Sequence, residues 1–302
     1  MDFGVIGYPQ VLLGLWGPLA LRAAWFVWTR RGAANVAPAT RALVTAAVAI
    51  APLVALFVPF EPSTPLRDAL PWRAPIAWGI AIAPPADAER SPVGLVLMLF
   101  AVVPVVSVLV SFAIGVVEVV VSRCRLARLE TGRRGGLRLI AENDSLTACV
   151  AGLVVPRVYI TESTLRGPHS SAVIAHERAH QRRLHPLLKW TVGCALRAWW
   201  WIPGARAMRH DLVVSTELWA DDAARRRVGD RAVASALLGS MEHAGVGGLR
   251  TAVSVAGLVG AESVLGMRVG ALCVPVRARR PVERVLVPVL LLGSLVLFVL
   301  LF

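Results

Sequence analysis

Two histidines and a glutamate set the chemistry available to this chain. Ser171 to Arg183 reads SAVIAHERAHQRR, and within it His176, Glu177 and His180 spell H-E-x-x-H. On a helix, positions i and i+4 share one face, a turn apart. Two imidazoles so placed can bind one Zn2+, and Glu177, beside the first of them, can act as the base toward a water next to that ion. A catalytic zinc takes a third protein ligand and leaves a fourth place open. Glu217, in STELWADDAARRR, is the candidate, and Asp221 follows one turn later on the same helical face. Glu217 is expected to bind the metal. Asp221 is expected to hold a ligand imidazole from behind, fixing its tautomer and orientation. H-E-x-x-H followed downstream by E-x-x-x-D is far more specific than either half alone.

These side chains need two helices brought together. Gly167, Pro168, Ser170 and Ser171 read as a loop and N-cap, and Ala172 to Ala175 give the first helix an apolar start. Pro186 stands where that helix should end or kink. The second helix is expected over Ala205 to about Val228, and a further one over Arg231 to about Glu242. Between the two site helices, LLKWTVGCALRAWWWIP is apolar but short for a membrane crossing. It reads as a core helix or an interfacial one with Trp199, Trp200 and Trp201 at headgroup level. Upstream, Leu137–Ala141, Thr147–Gly152 and Arg157–Thr161 read as short strands, with a turn at Glu142 to Ser145. A small sheet before a zinc helix offers an edge to an extended peptide; plain packing strands are the competing reading. Gly245 to Val276 is Gly- and Val-rich and fits either helices packed beside the site or a membrane-dipping segment. Tyr159, His185 and His210 are, by residue type, candidates to stabilise an oxyanion, each with a structural or surface role as the competing reading. His169 and His243 are expected in loops or at helix ends.

Composition places the site in a membrane. The chain has 302 residues, 56% of them hydrophobic, against about 45–50% in soluble domains. Its mean hydropathy is +0.65. Apolar segments over about 5–28, 42–60 and 92–121 are expected to cross, followed by a less hydrophobic region, 122–282, and a last crossing over 283–302. Arg30 and Arg31 follow the first apolar core instead of preceding it, which argues against a cleaved signal peptide. Glu118 is expected at the interface end of the third segment. The net charge of +13 comes almost wholly from Arg, Lys189 being the single lysine. With no nucleic-acid motif in view, that excess fits cytoplasmic loops facing anionic headgroups. Placing the Arg-rich parts in the cytoplasm puts both termini outside. Cys124, Cys149, Cys194 and Cys273 are scattered and form neither a disulfide framework nor a zinc knuckle.

HERAH, the GLVVPRVYITESTL segment upstream and ELWADDAA downstream together resemble the BlaR/MecR-type integral-membrane metallopeptidases, their actinobacterial branch above all. The resemblance covers about Val121 to Arg284. It implies a mainly α membrane protein with four transmembrane helices. A cytoplasmic α+β gluzincin zinc-protease domain is then inserted between helices 3 and 4. Carried over, it makes His176, His180 and Glu217 the metal ligands, Glu177 the catalytic base and Asp221 their outer partner. The partners implied are a protein substrate and the lipid bilayer. The chain ends at Phe302, directly after the last crossing, so no penicillin-binding sensor is expected of it. The HtpX-like membrane peptidases share similar motifs, which keeps quality-control proteolysis open. The readings from other classes are a signalling or scaffold protein with a silent zinc site, and a transporter. An intact Glu177 argues against the first, and the scarcity of buried charge in the crossings against the second.

Overall fold

The computed structural model describes residues 8–31, 36–57, 92–142, 146–244 and 261–272. Three helices open it: α1 (Tyr8–Arg31), α2 (Pro38–Phe57) and α3 (Pro92–Leu129). Within α3, Val106–Leu129 is the one helical stretch among the described residues long and apolar enough to cross a membrane. Leu109, Val110, Phe112, Val117 and Val120 of α3 are each more than half exposed, an apolar surface suited to lipid. The helix runs on to Leu129, past residue 121 where the crossing is expected to end. Arginine is a good helix former, so Arg123, Arg125 and Arg128 do not stop it. Its last turns dock on the sheet, where Leu126 is buried with Ile140 and Tyr159. The expected crossing over 283–302 and Cys273 lie outside the described residues.

A mixed sheet follows α3. Its strands are β1 (Glu130–Arg134), β2 (Leu137–Ile140), β3 (Ala148–Ala151) and β4 (Arg157–Thr161), in the order β1-β2-β4-β3. The three expected strands are present, each within a residue of its expected bounds. β1 is an addition, paired antiparallel to β2 through Gly135 and Gly136. Both glycines have positive φ, +56° and +80°, as a two-residue hairpin turn demands. β2 and β4 run parallel, while β3 pairs antiparallel with β4 and forms the sheet edge. Leu137, Val158 and Ile160 on one face pack against Val173 and Ile174 of the next long helix.

The remaining elements are α4 (Glu162–Arg166), α5 (Ser170–Arg182), α6 (His185–Ala198), α7 (Ala205–Val228), α8 (Asp230–Ala244) and α9 (Ala261–Leu272). Thr161 caps α4, its side chain accepting from the Thr164 N–H. At α5 the expected serine cap is corrected: His169 precedes the helix without a side-chain cap bond, and Ser170 and Ser171 lie inside the first turn. α5 ends at Arg182, just before Pro186, as expected. Pro186 sits in the first turn of α6, where its missing N–H costs nothing, after a left-handed Leu184 (φ 52°).

α6 is a core helix, with Val192 and Ala195 fully buried. The tryptophans after it divide: Trp199 is buried, whereas Trp200 is 71% exposed. α6 crosses α3 at Gly115, where a Cβ would stand 2.6 Å from Cys194 Sγ and 2.9 Å from Trp190 Nε1. Ala39, Ala42, Ala46 and Ala49 line one face of α2 at helical spacing and are all buried. Ala42, Ala46 and Ala49 share a core with Val192 and Leu196 of α6 and Met208 and Leu212 of α7. Small side chains there let the helix axes approach closely.

A polar seam stitches the same elements. Trp25 Nε1 donates to Thr45 Oγ1 (2.9 Å), and Thr45 Oγ1 donates to Asp211 Oδ2 (2.8 Å). Arg41 pairs with the other Asp211 oxygen. Arg22 reaches from α1 to the carbonyls of Trp199, Ile202 and Pro203 in the turn after α6. Glu118 pairs with Arg197 Nη2 at 2.9 and 3.0 Å, tying α3 to the end of α6.

Candidate metal centre

α5 and α7 pack side by side because small residues line their contact. Ala172, Ala175 and Ala179 of α5 and Ala220 and Ala224 of α7 are all buried, and Ala175 and Ala224 share one cluster with Val233 and Leu237 of α8. That closeness brings His176 and His180 opposite Glu217. His176 Nε2 and His180 Nε2 are 3.0 Å apart. Glu217 Oε2 lies 3.3 Å from the first and 3.6 Å from the second. A tetrahedral zinc with bonds of about 2.0–2.1 Å separates its ligand atoms by about 3.3 Å. Three buried or half-buried donors at that spacing form a group able to hold a metal ion.

The far nitrogens are occupied in a way that turns the Nε2 lone pairs inward. His176 Nδ1 is 2.8 Å from Asp221 Oδ1, off the line of its N–H. His180 Nδ1 is 2.8 Å from His185 Nδ1. His185 is fully buried, its ring 4.8 Å from that of Trp219, and its Nε2 has no hydrogen-bond partner among the described residues. The histidine offered above as an oxyanion donor thus stands behind a ligand position. Tyr159, also offered, is buried in β4 against Leu126 and Ile140.

Two cations complete the centre. Lys189 Nζ of α6 meets Glu217 Oε1 at 2.9 Å. Arg268 of α9 clasps Asp221 with two hydrogen bonds of 2.8 Å, and its Nη1 lies 3.7 Å from Glu217 Oε2. Of the two readings left open for 245–276, residues 261–272 therefore take the helix packed beside the site. Lys189 carried a signal in the sequence, as the single lysine in a chain with 32 basic residues. Arg268 carried none, as an arginine among many, and His185 was offered by residue type alone, for a different role.

Burial and these neighbours pull the titrations apart. Burial opposes charge on His176, but Asp221 and Glu217 outweigh it and lift the imidazole to about 9. Burial takes His180 down to about 4 and His185 to about 2. Burial raises the Glu177 carboxyl. For Glu217 burial acts upward too, yet Lys189 and the imidazoles hold it well below the usual carboxylate range. Asp221, also desolvated, is held at about 2 by Arg268 and His176. Cys149 of β3 is pushed up to about 12, by burial first and then by the charge of Glu177.

No family model, no characterised protein and no solved structure matches the chain.

Proposed function

We propose that the chain is an integral-membrane zinc endopeptidase of the BlaR/MecR type, with Glu177 as its base. The observation that carries the reading is the mutual spacing of His176 Nε2, His180 Nε2 and Glu217 Oε2, three donors at the edge lengths of a tetrahedral ion. Zinc bound there supplies Lewis acidity, polarising a peptide carbonyl and acidifying a water. His176 and His180 turn their Nε2 atoms toward Glu217, held by Asp221 and His185 behind them. Glu177 projects from the helix that carries both imidazoles, and its burial-raised pKa suits a group that takes a proton from water and returns it to the leaving amine. β3, a sheet edge packed beside α5, supports extended binding of a peptide by strand addition.

In this reading α1, α2, α3 and the segment 283–302 cross the bilayer. The centre faces the cytoplasm, both termini lie outside, and a repressor or a membrane protein is the substrate. The lipid-suited surface of α3 supports the membrane placement.

The test is metal content and proteolysis by the purified chain in detergent or reconstituted membranes. One zinc per chain is expected, with cleavage of an unstructured protein. Glu177→Gln should keep the zinc and lower turnover by about 10²–10⁴-fold. Full turnover by that variant rejects the mechanism. Zinc without turnover by the wild-type chain, in detergent and membranes alike, favours a silent scaffold.

A further inference from the structure

We infer that Lys189 is a positioning residue that restricts Glu217 to ligation through a single oxygen, so that a place beside the water stays open to substrate. The inference rests on the metal-site reading above and adds to it a role for a residue outside both helices of the site.

The two Glu217 oxygens have different duties. Oε2 faces the imidazoles, 3.3 and 3.6 Å from their Nε2 atoms. Oε1 points the other way and is held by Lys189 Nζ at 2.9 Å. Lys189 comes from α6, whose core face is locked by Val192 and Ala195, so its stem starts from a fixed backbone. Arg268 does not duplicate the hold. Its two short bonds go to Asp221, and its approach to Glu217, at 3.7 Å, is to the inward oxygen. A carboxylate is free to chelate a cation through both oxygens, and each one it adds fills a coordination place. In a site with three protein ligands and a water, a second Glu217 oxygen would make the ion five-coordinate and fill the place a substrate carbonyl needs. A charge-assisted hydrogen bond on Oε1 opposes that rotation. Outer partners of metal ligands commonly work by orienting them.

Cobalt(II) loaded in place of zinc reads this directly, because its visible absorption is intense in four-coordinate sites and several-fold weaker in five-coordinate ones. Wild type and Lys189→Arg, which keeps a donor on Oε1, should show the intense spectrum. Lys189→Met should bind one cobalt and show the weak one. Lys189→Ala, lacking the same donor, should match it and keeps the test open if the methionine variant does not fold. Turnover should fall in kcat more than in KM, since the place filled is the one a carbonyl takes as it is attacked. A wild-type chain that takes up no cobalt overturns the metal reading and this inference with it. Wild type loaded and intense, with Lys189→Met or Lys189→Ala equally intense, overturns the role of Lys189 alone.

Discussion

One helix, α7, carries two buried polar clusters, and they are built on opposite principles. Near its start, Asp211 is 5% exposed, and both its oxygens are satisfied by Arg41 and Thr45, the latter backed by Trp25. That seam joins α1, α2 and α7 and leaves nothing for a ligand. Two turns on, Glu217 and Asp221 face two imidazoles whose Nε2 atoms stand 3.0 Å apart and meet, among the described residues, each other and a carboxylate oxygen. Five ionisable side chains besides Glu177 crowd the second cluster: His176, His180, Asp221, Lys189 and Arg268 surround Glu217. The first cluster spends its polarity on holding helices together. The second holds polarity in a frustrated arrangement that an added cation would relieve, as functional sites do at some cost to stability.

The comparison breaks most sharply by removing one member from each side. His176→Ala should weaken zinc or cobalt binding by more than about 100-fold, beyond what loss of an outer partner costs. Above pH 9, where His176 is neutral, the metal-free protein should keep its thermal midpoint, because a crowded buried imidazole is lost and Asp221 keeps Arg268. Asp211→Ala should do the reverse: a loss of about 2–4 kcal/mol in stability, from Arg41 and Thr45 left without their partner, with metal affinity unchanged. Calorimetric unfolding and metal titration of both variants check this. Equal stability losses from the two would mean that the centre is structural.

A smaller effect tests whether the frame and the centre are separable. Gly115 seats α3 against α6, the helix that also carries His185 and Lys189. Gly115→Ala places a methyl within 2.6 Å of Cys194 Sγ and should cost about 1–3 kcal/mol by overpacking. Adding Cys194→Ala removes the nearer obstacle and should recover part of the loss. The cobalt spectrum of both variants should stay that of wild type. A changed spectrum would show that the membrane-facing helices set the geometry of the centre.

What could be read in advance follows the same divide. His176, His180, Glu217 and Asp221 were legible because each pair repeats a helical turn within a few residues, and local periodicity survives any tertiary arrangement. β2, β3 and β4 were legible from short β-branched runs between turn residues. Lys189, His185 and Arg268 reach the centre from α6 and α9, and no local pattern records a contact made across the fold. β1 was missed because ETGRR has no alternation; its pairing comes from the Gly135–Gly136 turn and from Glu130 meeting Arg138 of β2. The last turns of α3 lie beyond its apolar run, and hydropathy alone does not record the sheet that buries Leu126.

The finest distinction between the two clusters is in their protons. His176 in the metal-free centre is pushed up to about 9, because Asp221 and Glu217 outweigh the cost of burying its charge. Below pH 9 it therefore holds a proton that an incoming metal ion must displace. His180, taken down to about 4 by burial, is already neutral across the same range and adds nothing. Apparent metal affinity should accordingly rise with pH, about tenfold per unit between pH 6.5 and 8.5, and level off near 9. Titration calorimetry in buffers of different ionisation enthalpy should count about one proton released per ion at pH 7.5. Asp221→Asn removes the nearer carboxylate charge from His176, so it should lower the plateau pH and reduce the proton count. An affinity flat across this range would mean that His176 is neutral before the ion arrives. The carboxylates would then hold the ring without charging it, and the centre would stand ready for a cation much as the Asp211 seam stands complete without one.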